Sequence, residues 1–107
     1  MISYANTPKP PYYAVIFTSV KTEIDNGYSA MADKMEELAK EQDGFLGMES
    51  ASKELSITVS YWRDLESIKK WKMNSEHLMA QEQGRKEWYQ NYKTRICFVE
   101  RDYSFEK

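Results

Sequence analysis

The chain predicts an α+β fold of the order strand, helix, strand, strand, helix, strand, in which a four-stranded antiparallel sheet carries its helices on one face. Three observations predict it. Residues 12–20, YYAVIFTSV, are β-branched or aromatic almost without interruption, which is strand composition. Ile24, Tyr28, Met31, Met35 and Leu38 then recur at spacings of four, three, four and three, the stripe of an amphipathic helix. Residues 55–62, LSITVSYW, alternate with period two, as a strand with two different faces does.

Each element follows from local chemistry. Residues 1–11 hold Pro8, Pro10 and Pro11 and no apolar period, so they form an irregular N-terminal arm ahead of one domain over residues 12–107. The first strand, apolar on both sides, is covered on both faces. In the first helix, Asp25 or Asn26 is placed to cap the start, and Gly44 supplies a left-handed residue at the end. Residues 45–52, FLGMESAS, form the second strand, and Gly44 and Gly47 beside it point to a tight bend or a bulge. Lys53-Glu54 makes a hairpin turn into the third strand.

That third strand sorts its side chains sharply. Leu55, Ile57, Val59 and Tyr61 share one face; Ser56, Thr58, Ser60 and Trp62 share the other. Three small hydroxyl residues leading to one indole leave space instead of filling it. Asp64 then caps a helix with Leu65, Ile68 and Trp71 inward. Asn74-Ser75 is read as a break, with Ser75 capping a further helix to about Tyr89. The last strand alternates charged and apolar residues from Tyr92 to Phe105. This order is the ferredoxin-like split βαββαβ arrangement. Its bare sheet face would expose Ile57, Val59 and Tyr61, and so large an apolar surface calls for a partner. A two-fold homodimer with the sheets packed together, a dimeric α+β barrel, covers it.

Totals narrow the function. Fifteen basic against seventeen acidic residues leave a net charge of -2, without the basic face of a nucleic-acid binder. The same strand order occurs in single-stranded RNA readers, but the basic and aromatic run of their third strand is missing here. No apolar run approaches the roughly 18 residues that cross a membrane, and the N-terminus has no export signal. The expectation is a cytoplasmic protein. One His and one Cys cannot furnish a zinc shell, so no metal is expected, and Cys97 reads as strand packing. Aromatic residues reach 14%, and all three tryptophans fall between residues 62 and 88. If a cavity exists, this stretch builds its wall.

His77 follows the apparent cap at Ser75. In the first turn of a helix its imidazole would stay neutral, and facing an aromatic cavity it could accept a phenol proton. The plain alternative is a hydrogen-bonded helix-start or surface histidine. Trp62 and Trp71 are core or cavity wall, and Thr58, Ser60 and Gln81 serve as hydrogen-bond partners for a small aromatic ligand.

The runs GFLGMES, ITVSYWRDLESIKKWKMNSEH and RICFVERDY resemble the antibiotic-biosynthesis monooxygenase (ABM) domain family over roughly residues 12–105, most closely its small stand-alone bacterial members. The resemblance implies a dimer of ferredoxin-like units with a shared barrel. In the family's cofactor-free oxygenases, which make quinones from polycyclic phenols, a Trp ends the third strand, and Trp62 matches it. Their Asn falls near Ser60 or Thr58, so that amide is missing. In the haem-degrading branch, Trp71 matches the helix Trp, while the Asn maps near Thr18 and the His falls on Gln81. The resemblance therefore implies a cofactor-independent monooxygenase of a small aromatic or quinol-like compound, with haem disfavoured. A haem protein and a non-catalytic small-molecule-binding dimer stand as alternatives.

Overall fold

The computed structural model describes residues 3–24, 27–81 and 85–107, apart from the side chains of residues 80, 81, 85 and 86. Its elements run β1 (Tyr12–Lys21), α1 (Tyr28–Glu41), β2 (Phe45–Ser52), β3 (Ser56–Trp62), α2 (Leu65–Gln81), α3 (Arg85–Trp88) and β4 (Tyr89–Val99). The strands form one sheet in the order β2-β3-β1-β4. Every neighbouring pair is antiparallel. This is the ferredoxin-like α+β arrangement. Strand β1 is central, between β3 and β4, with Val15 and Phe17 turned to the helices and Ile16 to the outer face.

Register assigns the faces. Ser60 stands opposite Val15 on one side and Met48 on the other, and Thr58 stands between Phe17 and Ser50. These side chains point toward the helices. Ile57 and Val59 pair with Thr18 and Ile16 on the outer face. Between helices and sheet, Val15, Ala39, Trp62, Ile68 and Trp71 form the buried core.

Short-range devices fix the connections. Asp64 caps α2 by accepting the Ser67 N–H at 2.8 Å. The Ser67 hydroxyl, the Ser67 N–H and the Arg63 guanidinium together lower its carboxyl to about 2. Arg63 also reaches Asp43 at 3.0 Å, which ties the end of β3 to the loop after α1. In that loop Gly44 adopts φ 90°. A Cβ there would sit 2.6 Å from Ser67 Cβ, so both conformation and close packing require glycine. The ladder between β2 and β3 shifts register between Phe45 and Gly47, the bulge expected there.

Several expectations are corrected. Asn74-Ser75 does not break the second helix. Ser75 bonds back to the Lys72 carbonyl at 3.0 Å, a mid-helix use of the hydroxyl that leaves α2 continuous. Helix α1 begins at Tyr28 behind a left-handed Gly27 (φ 80°), so Ile24 lies before it and is exposed. Asp25 and Asn26 lie outside the described residues. The C-cap of α1 is Gln42, with Gly44 in the turn beyond. Strand β3 starts at Ser56, after an exposed Leu55. Strand β4 starts at Tyr89 and stops at Val99, and residues 100–107 continue as an exposed tail without ladder bonds.

The outer face is partly clothed by the arm. Ala5 N–H donates to Glu49 Oε2 at 2.8 Å, the Tyr61 hydroxyl bonds to the same carboxylate, and Gly47 leaves room for Ala5 and Thr7 to lie against the strand. Tyr12 bonds to Thr7 at 2.9 Å and donates to Asp102 at 2.5 Å. Burial, then the Asp102 bond, raises the Tyr12 hydroxyl above its usual range. Burial and the Glu49 bond do the same for Tyr61.

Candidate functional site: a cavity between sheet and helices

The alternation of β3 sets the floor. Thr58 and Ser60 are short, and with their register partners Val15, Phe17, Met48 and Ser50 they line the floor. Above them α2 presents Ile68, Trp71, Ser75 and Met79, and α1 presents Tyr28, Met31 and Met35. A cavity of about 740 Å³ remains, within the range of small-molecule sites. Its aromatic end is built by Phe17, Tyr28, Tyr89 and Tyr92. Phe17 lies 5.7 Å from Tyr89 and 5.3 Å from Tyr92 between ring centres, and Tyr28 lies 5.8 Å from Tyr89. Burial, reinforced by a hydrogen bond with Tyr28, raises the Tyr89 hydroxyl, so it stays protonated at neutral pH. Thr94 and Ile96 of the edge strand complete the lining and are exposed, so the cavity is open on that side. Charged lining side chains come from the helices: Asp33 and Glu36 from α1, Lys72 and Glu76 from α2.

Trp62 is not in this lining. It is fully buried beneath it, stacked on Trp71 with 5.8 Å between ring centres and 24° between planes. Phe45 meets it edge-on at 5.5 Å. Its indole Nε1 donates to Ser60 Oγ at 2.8 Å. Trp62 therefore backs the cavity, while Trp71, Thr58 and Ser60 border it.

His77 stands elsewhere. Because α2 runs unbroken, His77 is its thirteenth residue and not a first-turn residue. It lies two positions past Ser75, about 200° further round the helix. Its side chain is exposed and absent from the cavity lining. The expected first-turn position and inward orientation are both corrected. Gln81 closes α2, and its side chain lies outside the described ones. Thr18 belongs to the outer face with Ile16, away from Trp71. Among the described residues no cluster of His, Cys, Asp and Glu is arranged to hold a metal, and no helix is long and apolar enough to cross a membrane.

Met31, Met35, Met48 and Met79 border the cavity, and sequence reasoning gave them no such part. Met31 and Met35 were legible only as an apolar stripe, the same pattern a filled core makes. The available signal was their facing a strand of hydroxyl residues, since flexible thioethers suit an irregular, adaptable wall.

Residues 16–101 match the Monooxygenase af470-like family, and the chain belongs to that family. An uncharacterized Bacillus subtilis (strain 168) protein, YqjZ, is 47% identical over 105 residues, covering 96% of this chain and 92% of that one. Solved structures share the fold at low identity. A Shewanella oneidensis protein superposes with a TM-score of 0.71 at 7% identity, over 92% of this chain and 98% of its own. SnoaB, a cofactor-independent oxygenase from Streptomyces nogalater, superposes with a TM-score of 0.67 at 8% identity, over 91% and 100%.

Proposed function

We propose that the chain is a cofactor-independent monooxygenase that oxidises a flat phenolic or quinol-like compound in the cavity between sheet and helices, and that it works as a homodimer. The observation that carries this reading is the cavity itself. Aromatic and thioether walls suit a planar apolar ligand, and the hydroxyls of Thr58 and Ser60 suit its oxygen substituents. Membership of a monooxygenase family supports the reaction class, although fold alone does not set chemistry. The reaction balances without an added reductant: a phenol and O2 give a quinone and water, one oxygen atom entering the ring carbon that loses its hydrogen. Trp71 and the floor would position the ring, and His77 is assigned no step because it does not border the cavity.

The same observation favours a second reading, a non-catalytic aromatic-binding dimer, since the one histidine offered as base lies outside. Oxygen uptake with a panel of naphthols and naphthohydroquinones separates the two. Turnover with ¹⁸O from O2 in the quinone, undiminished in His77→Ala and abolished by the cavity-filling Thr58→Trp, is the expected result. Binding without uptake across the panel supports the second reading. A stoichiometric haem complex with an imidazole-ligated Soret band, lost in His77→Ala, overturns both.

A further inference from the structure

We propose that Ser60 is the specificity-determining group of the cavity: a hydrogen-bond donor, oriented by Trp62, that selects planar aromatics carrying a carbonyl or phenolate oxygen. This deepens the reading of the cavity as an aromatic site and rests on it. Ser60 is 5% exposed and borders the cavity. Its register partners, Val15 and Met48, are apolar and offer it nothing. Trp62 Nε1, a group that can only donate, gives its hydrogen to Ser60 Oγ at 2.8 Å. Trp62 is itself held without exposure by its stack on Trp71 and its edge contact with Phe45, so this bond cannot be traded for one to water.

The consequence is a polarity. Ser60 accepts on its buried side and retains its own proton, for which the described residues supply no acceptor. A ligand that displaces water from this hydroxyl and brings no acceptor leaves its proton unpaired at a cost, and a ligand oxygen placed there removes that cost. The indole also polarises the hydroxyl it donates to, which strengthens the outgoing bond. An acceptor oxygen is therefore favoured over a C–H at that point, and a carbonyl over an alcohol, which brings a proton of its own. For a phenol the same arrangement favours the ionised form, the form that gives up electrons to O2.

The test uses the full-length protein and three ligands of one skeleton: fluorene, 9-fluorenone and 9-fluorenol. Affinities are read by quenching of tryptophan fluorescence. The expected result is fluorenone bound roughly three- to tenfold more tightly than fluorene, the gain of one hydrogen bond to a buried donor. Ser60→Thr, which keeps the hydroxyl, should retain that ratio, and Ser60→Ala should bring it to about one. Because Ser60→Ala orphans the buried Trp62 N–H, which destabilises the chain, Trp62→Phe provides a second route. It frees the inner lone pair of Ser60, so fluorenol should gain on fluorenone. Equal binding of fluorene and fluorenone by the wild type overturns the role of Ser60 and leaves the aromatic site standing. Failure of all three ligands to bind overturns both.

Discussion

Trp62 and Trp71, nine residues apart, stack at 5.8 Å with 24° between their planes, and this contact joins the sheet to the helix that roofs the cavity. Trp62 has no exposed surface and Trp71 is 9% exposed. One wall of the cavity is thus continuous with the core.

Trp62→Ala is therefore expected to be among the most damaging single substitutions, at about 3–5 kcal/mol. Urea unfolding at constant slope measures it. In a double-mutant cycle of Trp62→Phe with Trp71→Leu, coupling of roughly 0.5–1.5 kcal/mol is expected for paired rings. Additive losses would mean that the two indoles only share a region.

Gly44→Ala carries two separable costs. A side chain at φ 90° is strained by about 1–3 kcal/mol, and its Cβ would press on Ser67. Adding Ser67→Gly should relieve the contact but not the strain, so the double variant should fall between wild type and Gly44→Ala once the cost of Ser67→Gly alone is subtracted. Thermal midpoints of the four proteins decide this. Full recovery in the double variant would show that the backbone conformation costs nothing.

Strand faces and the capping of α2 by Asp64 were legible because each depends on nearby residues: period two along β3, and a carboxylate three positions before a backbone N–H. The continuity of α2 was not. A serine after an asparagine can cap a new helix or bond back to the carbonyl three residues earlier, and the sequence is the same in both cases. Ser75 takes the second course because α2 is held over the sheet on both sides of it, by Ile68 and Trp71 before and Met79 after. That choice moved His77 from a helix start to an exposed position in the last third of α2, on a face away from the cavity. Likewise, whether Met31 and Met35 fill a core or border a void depends on the length of the side chains opposite, and Thr58 and Ser60 come from a different element.

Asp64 links the stability of the fold to pH. Hydrogen bonds from Ser67 and the Arg63 guanidinium hold its carboxyl at about 2 in the folded chain, against about 3.9 for a free aspartate. The folded value is the lower one, so the contribution to stability is complete above about pH 4 and is lost as the pH falls toward 2. Asp64→Asn keeps a capping side chain but cannot titrate. Urea midpoints at pH 6 and pH 2.5 should fall further in the wild type than in Asp64→Asn. Equal falls would show that the cap carboxylate is not linked to folding.

The outer sheet face argues for a second copy of the chain. Ile16, Ile57 and Val59 lie together there by register, and Ile57 is 38% exposed. The N-terminal arm covers only the margin by Gly47, Glu49 and Tyr61. Beyond β4, Tyr103 and Phe105 stand 84% and 83% exposed on the tail. A self-complementary two-fold contact would bury the apolar face against its own copy, with the sheets about 10 Å apart, and would give the tail's aromatic side chains a surface to cover. Sedimentation velocity at micromolar concentration should therefore show a dimer. Val59→Lys places a charge at the centre of that face, and it should shift the protein to monomer while the circular dichroism spectrum is retained. A wild-type monomer at that concentration, or a Val59→Lys variant that stays dimeric, removes the outer face from consideration as the contact.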